Sequence, residues 1–573
     1  MDKVIIIDGY NDEPAGFGVS PYLDVYARYT AGAIWSYNNK IKINYYTIDE
    51  ARANFNSVLK EADASDILIV LGGTVVPGKY IGGTPITATE AIKIGKVVTK
   101  PIKILGGPAA KFGFGGEGGK KPKIPKEIAL SYDLIVKGDI EIVTYNLLQE
   151  NLHVDVIEPY MRRTSYQEIS NFAVKGARII KDHPNYKRNL ICEIETYRGC
   201  PRSITGGCSF CAETLYGLPT FRPIKDIIKE IEALYTFGAR NFRLGRQPDI
   251  YSYMSKGVGE KEFPLLNPEA IRKLFLGIRK VAPNVKMLHI DNANPGAIAR
   301  YPDRAREITK IIVEYHTSGD VAAMGVETAD EKVIKANNLK ASPEESFRAI
   351  KIVNEIGSRR GSTGMPELLP GINFVYGLMG ETKETYNINL EFMKSVLHCG
   401  LLVRRINIRQ CIPLPGTKMW NVGTKIIHKH KRYFKIYKER MRKEVDLPML
   451  KKIIPEYSVL KDVFLEKKKD NIILGRQVGS YPILVTIPFE HKLNKFVKVM
   501  VTGHGYRSVT GVLLPIKINV WSKKELTLIP GIGDKLSAKI IKERPFKNTS
   551  DLGKIIRKRD LLERLKENIV FDL

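Results

Sequence analysis

The strongest constraint on the fold is a rhythm of short β-branched runs alternating with amphipathic helical stretches, which occurs twice along this 573-residue chain. The first series is KVIIID (3–8), KINYYTI (42–48), DILIVLGG (66–73), IKILGGP (102–108) and DLIVKGD (133–139). Such alternation specifies parallel strands covered by helices, a Rossmann-like α/β domain over residues 1–150. Gly72, Gly73, Gly106 and Gly107 at the strand ends suit a ligand crevice at the carboxyl edge of that sheet. In FGFGGEGGKKPKIP, Gly113, Gly115 and Gly118 fit G-x-G-x-x-G, but a Pro- and Lys-rich stretch follows where a helix should open, so the segment reads as a mobile surface loop.

After a linker at 151–189 the rhythm restarts on a longer scale. Strand candidates are LICEIETY (190–197), NFRLGRQ (241–247), KMLHIDN (286–292), VAAMGVET (321–328), GINFVYGL (371–378) and RRINIRQC (404–411). Helical segments at 223–238 and 342–357 separate them, the second opened by a capping box at Ser342 and Glu345. Six β/α units predict a partial (β/α)6 barrel over 190–420, with its chemistry at the carboxyl ends of the strands. Beyond Pro415 the pattern changes to a basic helical linker (421–470) and then to alternating runs over 471–520 that read as a small antiparallel β-barrel. Residues 521–573 contain IPGIGDKLSAKII (529–541), a helix-hairpin-helix in which Gly531 and Gly533 permit the tight turn. The amides at the following helix start, with Lys535 and Lys539 behind them, would face a phosphate.

A chain with 43% hydrophobic residues can bury several cores, and no stretch approaches the roughly 18 apolar residues of a membrane span. The expectation is a soluble, unexported, cytoplasmic protein with no membrane partner. Net charge is +28, densest in HKHKRYFKIYKERMRK (428–443), which points to a polyanionic partner such as nucleic acid, or to a solvated lysine-rich helix.

Three of the six cysteines lie in RGCPRSITGGCSFCAE (198–213), directly after the first barrel strand. The spacing of Cys200, Cys208 and Cys211 admits structural zinc with a fourth ligand, catalytic zinc with water, or a three-cysteine iron-sulfur cubane with one open iron. Cys192 and Cys411 fall in or at the end of strands and read as small buried hydrophobes.

At these residues the chain resembles the radical S-adenosylmethionine (radical SAM) superfamily, whose usual motif is C-x3-C-x2-C with an aromatic, here Phe210, before the last cysteine. The first gap departs from that motif, with seven residues in place of three. The resemblance extends over 190–420: residues 325–357, 371–396 and 412–420 look like the late-barrel signatures of the methylthiotransferase, coproporphyrinogen-dehydrogenase and elongator-type branches. It implies a [4Fe-4S] cluster on Cys200, Cys208 and Cys211, with the amine and carboxylate of S-adenosylmethionine on the open iron. It further implies a 5′-deoxyadenosyl radical and an electron donor such as ferredoxin or flavodoxin. Carried over residue by residue, Phe210, Gly245, Arg246, Gln247, Asn292, Asn294, Glu327, Tyr376, Gly377 and Met379 would contact the cosubstrate. The N-terminal domain resembles the cobalamin-binding arrangement, although it has no histidine before His153, so cobalamin would bind there without a histidine ligand or not at all.

The module at 471–519 is similar to the small RNA-binding barrel of methylthiotransferases, with Tyr481, Lys498 and Arg507 as stacking and phosphate contacts. The absence of cysteine before Cys192 argues against methylthiolation. Over its full length the chain resembles an archaeal radical SAM family with a C-terminal helix-hairpin-helix. The function this implies is modification of a nucleotide in structured RNA (tRNA or rRNA), with C-methylation first and DNA still open. Two alternatives are a radical enzyme acting on a small-molecule cofactor or lipid precursor, and a nucleic-acid-binding protein with a structural cluster.

Overall fold

A computed structural model describes residues 1–10, 21–74 and 83–572. Five parallel strands, Lys3–Gly9, Lys42–Thr47, Ile67–Gly72, Ile102–Gly106 and Leu134–Ile135, lie side by side in the order second, first, third, fourth, fifth. Val4, Ile6, Ile67 and Ile69 pack on one face, Ile5, Ile7, Leu68 and Val70 on the other. Burial on both faces is why these strands read as continuous apolar runs. The strand order reverses between the first and third strands, where a doubly wound sheet opens its crevice. Residues 11–20 and 75–82, which follow those two strands, lie outside the described residues.

The glycine-rich segment corrects the expectation of a mobile surface loop. Phe114 and Lys123 exchange backbone hydrogen bonds, Gly116 N donates to Thr74 O at 2.7 Å, and Gly119 N donates to Cys411 O at 3.1 Å. The segment is laid across the carboxyl end of the last strand of the central barrel.

That barrel has the six expected parallel strands, Ile191–Glu195, Asn241–Gly245, Met287–Ile290, Asp320–Glu327, Leu368–Tyr376 and Arg405–Gln410, with Asn292–Ala293 continuing the third onto the fourth. One further parallel strand comes from outside the 190–420 stretch: Tyr22–Leu23 pairs with Ile191–Cys192. The sheet therefore ends at Tyr22–Leu23 on one side and at Arg405–Gln410 on the other, and the barrel stays open between them.

The N-terminal region and the barrel share one apolar core. The helices Val25–Tyr37 and Gln167–Gly176 cross so closely that a Cβ on Gly32 would stand 1.8 Å from Phe172 O. Arg28, on the first of these helices, is fully buried and pairs with Glu230 of the helix Ile224–Thr236, and Glu230 also takes Arg222. Arg28 further donates to the carbonyl of Glu193 in the first barrel strand. Buried charges survive only when paired and hydrogen-bonded.

The C-terminal boundary moves. A closed five-stranded barrel starts at Val459–Lys469, inside the stretch read as helical linker, and continues through Ile472–Gln477, Leu484–Ile487, Phe496–His504 and Ser508–Leu513. Lys467, Lys468 and Lys469 at the exposed end of the first strand mask its alternation. The strand order around the barrel is first, second, third, fifth, fourth, with the third and fifth parallel. The helices Lys523–Leu526, Asp534–Lys542, Thr549–Ile555 and Arg559–Leu565 then form two successive hairpins on a core shared with Met500 and Val512 of the barrel. Among the described residues no helix is long and apolar enough to cross a membrane.

Glu230→Gln leaves Arg28 and Arg222 buried without a countercharge. It is expected to cost about 3–5 kcal/mol in chemical denaturation, and an unchanged midpoint would refute the role given to this ion triad.

Candidate active site

The cysteine loop starts where the first barrel strand ends. Tyr197–Arg198 pairs antiparallel with Thr220–Phe221, closing off residues 199–219. Gly199 (φ +87°) and Gly217 (φ +77°) turn the chain, Cys200 N donates to Gly217 O at 3.0 Å, and Gly199 N donates to Glu213 Oε1 at 2.8 Å. The seven-residue gap folds as a 3-10 turn, Pro201–Thr205, stopped by Gly206 and Gly207, both in the left-handed region. This turn carries Arg202, whose Nη1 donates to Cys208 Sγ at 3.1 Å while Glu262 (2.7 Å) and Asn338 O (2.8 Å) hold the rest of the guanidinium. Ser209 donates its hydroxyl to Asn337 Oδ1 at 2.7 Å, and Asn337 Nδ2 donates to Met379 O at 2.8 Å. Asn337 thus clips the cysteine loop to the segment after the fifth strand.

The three thiols are half-buried and close enough to act on one another's charge. Burial, reinforced by Cys208, pushes Cys200 up to about 12, and the same causes push Cys211 up. Among the described residues, no three such side chains converge tightly enough for a single ion. The all-sulfur donor set suits iron-sulfur chemistry, in which a cubane offers a different iron to each thiolate.

Glu327 ends the fourth strand at a register shift, with φ +66°. Its carboxylate stands 3.4 Å from Lys340 Nζ. Burial raises the Glu327 carboxyl while Lys340 and then Arg409 act to lower it. Lys340 in turn feels Cys208 and Cys211, so one anion-cation pair sits beside the thiols. Phe210, Met379, Leu378 and Ile427 pack with Cys208 and Cys411 as the apolar wall of the site.

Other expected contacts resolve differently. Gly245 is needed for packing, since a Cβ there would lie 1.9 Å from Glu193 Oε1. Arg246 is turned away, its Nη1 3.2 Å from Asp24 and its Nη2 donating to the Tyr26 hydroxyl, so its guanidinium ties the barrel to the N-terminal region. Gln247 is buried with Oε1 unpartnered, and Asn292 donates to the Gln247 carbonyl at 2.9 Å. Asn294 spends its side chain as the N-cap of the helix Pro295–Arg300. Tyr376 lies in a buried aromatic stack, its ring centroid 4.8 Å from that of Tyr386 and its hydroxyl accepting from Asn389. A packed ring with a satisfied hydroxyl is a core residue, not an adenine contact. Gly377 (φ +87°) has no room for a side chain, because a Cβ would meet Ile427 at 2.1 Å.

In the C-terminal module, Tyr481 is also corrected: it is buried, donates to Asp291 Oδ1 at 2.7 Å and packs on Val321 and Ala323, so it plugs the central barrel rather than facing a base. Lys498 and Arg507 are exposed, as are Lys535 and Lys539. Gly531 has φ +84° and Gly533 caps the helix Asp534–Lys542.

Arg202, Asn337 and Lys340 were not singled out from the sequence. The only available signal was Arg202 itself, a lone cation in a gap otherwise made of small residues and one isoleucine. Arg202→Met removes a hydrogen bond and a positive charge from Cys208. It is expected to shift the reconstituted cluster's midpoint potential to more negative values in a redox titration followed by electron paramagnetic resonance, with iron content retained. An unmoved potential would leave Arg202 with a structural role only.

The sequence profile of the radical SAM superfamily matches residues 194–377. An uncharacterized protein of Methanocaldococcus jannaschii is 48% identical over 518 residues, covering 89% of this chain and 93% of its own length. The tRNA-2-methylthio-N(6)-dimethylallyladenosine synthase of Rickettsia akari is 23% identical over 342 residues, 57% of this chain and 67% of that protein. Among solved structures, the radical S-adenosylmethionine methyltransferase TsrM from Kitasatospora setae, with cobalamin and a [4Fe-4S] cluster bound, superposes with a TM-score of 0.46 at 13% identity, covering 73% of this chain and 77% of that one. The radical SAM superfamily uses a [4Fe-4S] cluster and S-adenosylmethionine, and the Cys200, Cys208 and Cys211 loop lies within the matched residues. The chain belongs to the same family as the M. jannaschii protein, and its central domain is a radical SAM domain.

Proposed function

We propose that the protein is a radical SAM enzyme that modifies a nucleotide in structured RNA, tRNA or rRNA. The observation that carries this reading is the meeting of three thiols with the Glu327–Lys340 pair at the carboxyl end of the barrel. Cys200, Cys208 and Cys211 would hold a [4Fe-4S] cluster, which together with S-adenosylmethionine would supply radical hydrogen-abstraction chemistry. The chain's own residues hold and shield. Arg202 donates to Cys208, Lys340 offers a cation to a carboxylate, and Glu327 and the unpartnered Gln247 Oε1 offer acceptors to an ammonium. Phe210, Leu378 and Met379 keep water from the reacting face.

The RNA substrate is supported by three features. The net charge is +28. The strand order of the C-terminal barrel is that of oligonucleotide-binding OB-type modules, with Lys498 on its exposed surface. The turn at Gly531 leads into a helix start with Lys535 and Lys539 exposed. The R. akari relative's name adds an RNA substrate in a related chain. Methylthiolation itself is disfavoured, because no cysteine precedes Cys192 to hold a second cluster. C-methylation is the preferred outcome, with cobalamin at the carboxyl edge of the N-terminal sheet and no histidine ligand from that domain. Electrons would come from a ferredoxin or flavodoxin, in keeping with a cytoplasmic enzyme.

Anaerobic reconstitution with iron and sulfide, followed by reduction with S-adenosylmethionine, is expected to yield 5′-deoxyadenosine, and Cys208→Ala to abolish it. A fully loaded cluster that yields none, where a known radical enzyme works, would sink the enzymatic reading. For the RNA half, the double substitution Lys535→Ala, Lys539→Ala is expected to weaken binding evenly across sequences and to flatten the log–log salt dependence by about 1.4. An unchanged slope would remove the hairpin from the RNA interface.

A further inference from the structure

A closed parallel barrel fills its lumen with branched apolar side chains. Here the sixth strand alternates differently: Ile406 and Ile408 join the apolar core, so Arg405, Asn407 and Arg409 face the lumen, opposite Gly371, Asn373 and Val375 of the fifth. Arg405 lies over the Tyr481 ring at 4.2 Å, and its buried Nε has no partner. Arg404 donates from Nη2 to Tyr481 O at 2.7 Å, while its own Nε is also buried and unpartnered.

Further out, Arg507 sits in the turn between the fourth and fifth strands of the C-terminal barrel, exposed beside Arg442 and Lys438 and within reach of Arg404 and Arg405. Two carboxylates act on this group, and both are already engaged: Asp446 by Arg442, and Asp291 by Arg243 and the Tyr481 hydroxyl. Burial, together with the neighbouring cations, brings Arg404 and Arg405 down to about 9. A half-buried pair of like charges, with a third at its exposed side, is costly unless an anion completes it, and guanidinium groups match phosphate oxygens in bidentate geometry.

The cations lie along the open edge of the barrel. Arg404 and Arg405 sit against Tyr481 at the start of the strand, Arg507 and Lys438 are exposed on the outer side, and Arg409 lies about 13 Å further along the strand, next to Glu327. We infer that Arg404, Arg405 and Arg507 seat a phosphate group of the substrate on the outer side of the Tyr481 plug. The inference deepens the proposed function and rests on it: under the RNA reading the group is a backbone phosphodiester, held at the turn of the OB-type barrel. A free phosphorylated small molecule would present the same chemistry.

The test is calorimetry and thermal unfolding of the full-length chain, with inorganic pyrophosphate and a short single-stranded RNA ending in a 5′-hydroxyl as probes. In pyrophosphate, against chloride at matched ionic strength, the unsubstituted chain is expected to gain several degrees in Tm. Arg405→Met should start no lower, because a buried unpaired charge has gone, and lose that gain. RNA affinity should fall about tenfold or more in Arg405→Met and in Arg507→Met. Arg507 lies in an exposed turn, so its variant serves if Arg405→Met does not fold. Pyrophosphate binding that the RNA does not compete for would keep the phosphate seat and assign it to a small molecule. No gain in the unsubstituted chain with either probe, or equal gains in both variants, overturns the inference. Neither readout uses S-adenosylmethionine cleavage, so failure here is distinct from failure of the radical chemistry.

Discussion

A parallel sheet of six strands that stops short of closure leaves two edges, and the rest of this structure depends on how those edges are treated. An uncovered strand edge is a row of unpaired backbone donors and acceptors. On one side the N-terminal region supplies Tyr22–Leu23 as an extra strand against Ile191–Cys192. On the other, the outer edge of Arg405–Gln410 has no strand beside it among the described residues; Gly119 bonds Cys411 just beyond its carboxyl end, and Arg442 donates to Ile406 O at 3.1 Å. The flanking domains are fastened to the barrel at the places where its own strand count falls short.

The same shortfall changes what the barrel can contain. The lumen wall carries charge: the buried Glu193, Arg243 and Asp291 form one ion cluster, and burial lifts the Glu193 carboxyl to about 8 against the pull of Arg243. Tyr481 and Ser480, from the loop between the second and third strands of the C-terminal barrel, seal the inner end by bonding Asp291 and His289. The C-terminal module is thereby built into the active chamber as well as displaying basic surface. The N-terminal region is bound just as firmly, since the buried Arg28–Glu230–Arg222 triad crosses from its first long helix into the barrel.

The cysteine loop shows how an unusual spacing keeps an expected chemistry. Seven residues between Cys200 and Cys208 do not loosen the site, because they fold as a single 3-10 turn with two left-handed glycines at its end. What the longer gap adds is Arg202, held between Glu262 and Asn338 and aimed at Cys208.

Much of this was legible in the chain. Strand and helix alternation determined both α/β domains, because burial on two faces writes an apolar run that no loop or surface helix shares, and the cysteine spacing with Phe210 determined where the thiols would gather. Glu327 was readable through the resemblance of GVET to the superfamily's late-barrel signature, and it pairs with Lys340, which feels those thiols. Tertiary structure decided the rest. Tyr481 reads as a surface aromatic and is a buried plug. Arg246 and Asn294 read as ligand contacts and are an interdomain tie and a helix cap. Lys340 gave no local signal at all. For Tyr481 and Arg246 the physical reason is the same: periodicity records whether a side chain is buried along its own element, while its partner is chosen by an element 190 or 222 residues away. Arg405 meeting Tyr481, and Arg28 meeting Glu230, exist only because an incomplete barrel must be finished by other parts of the chain.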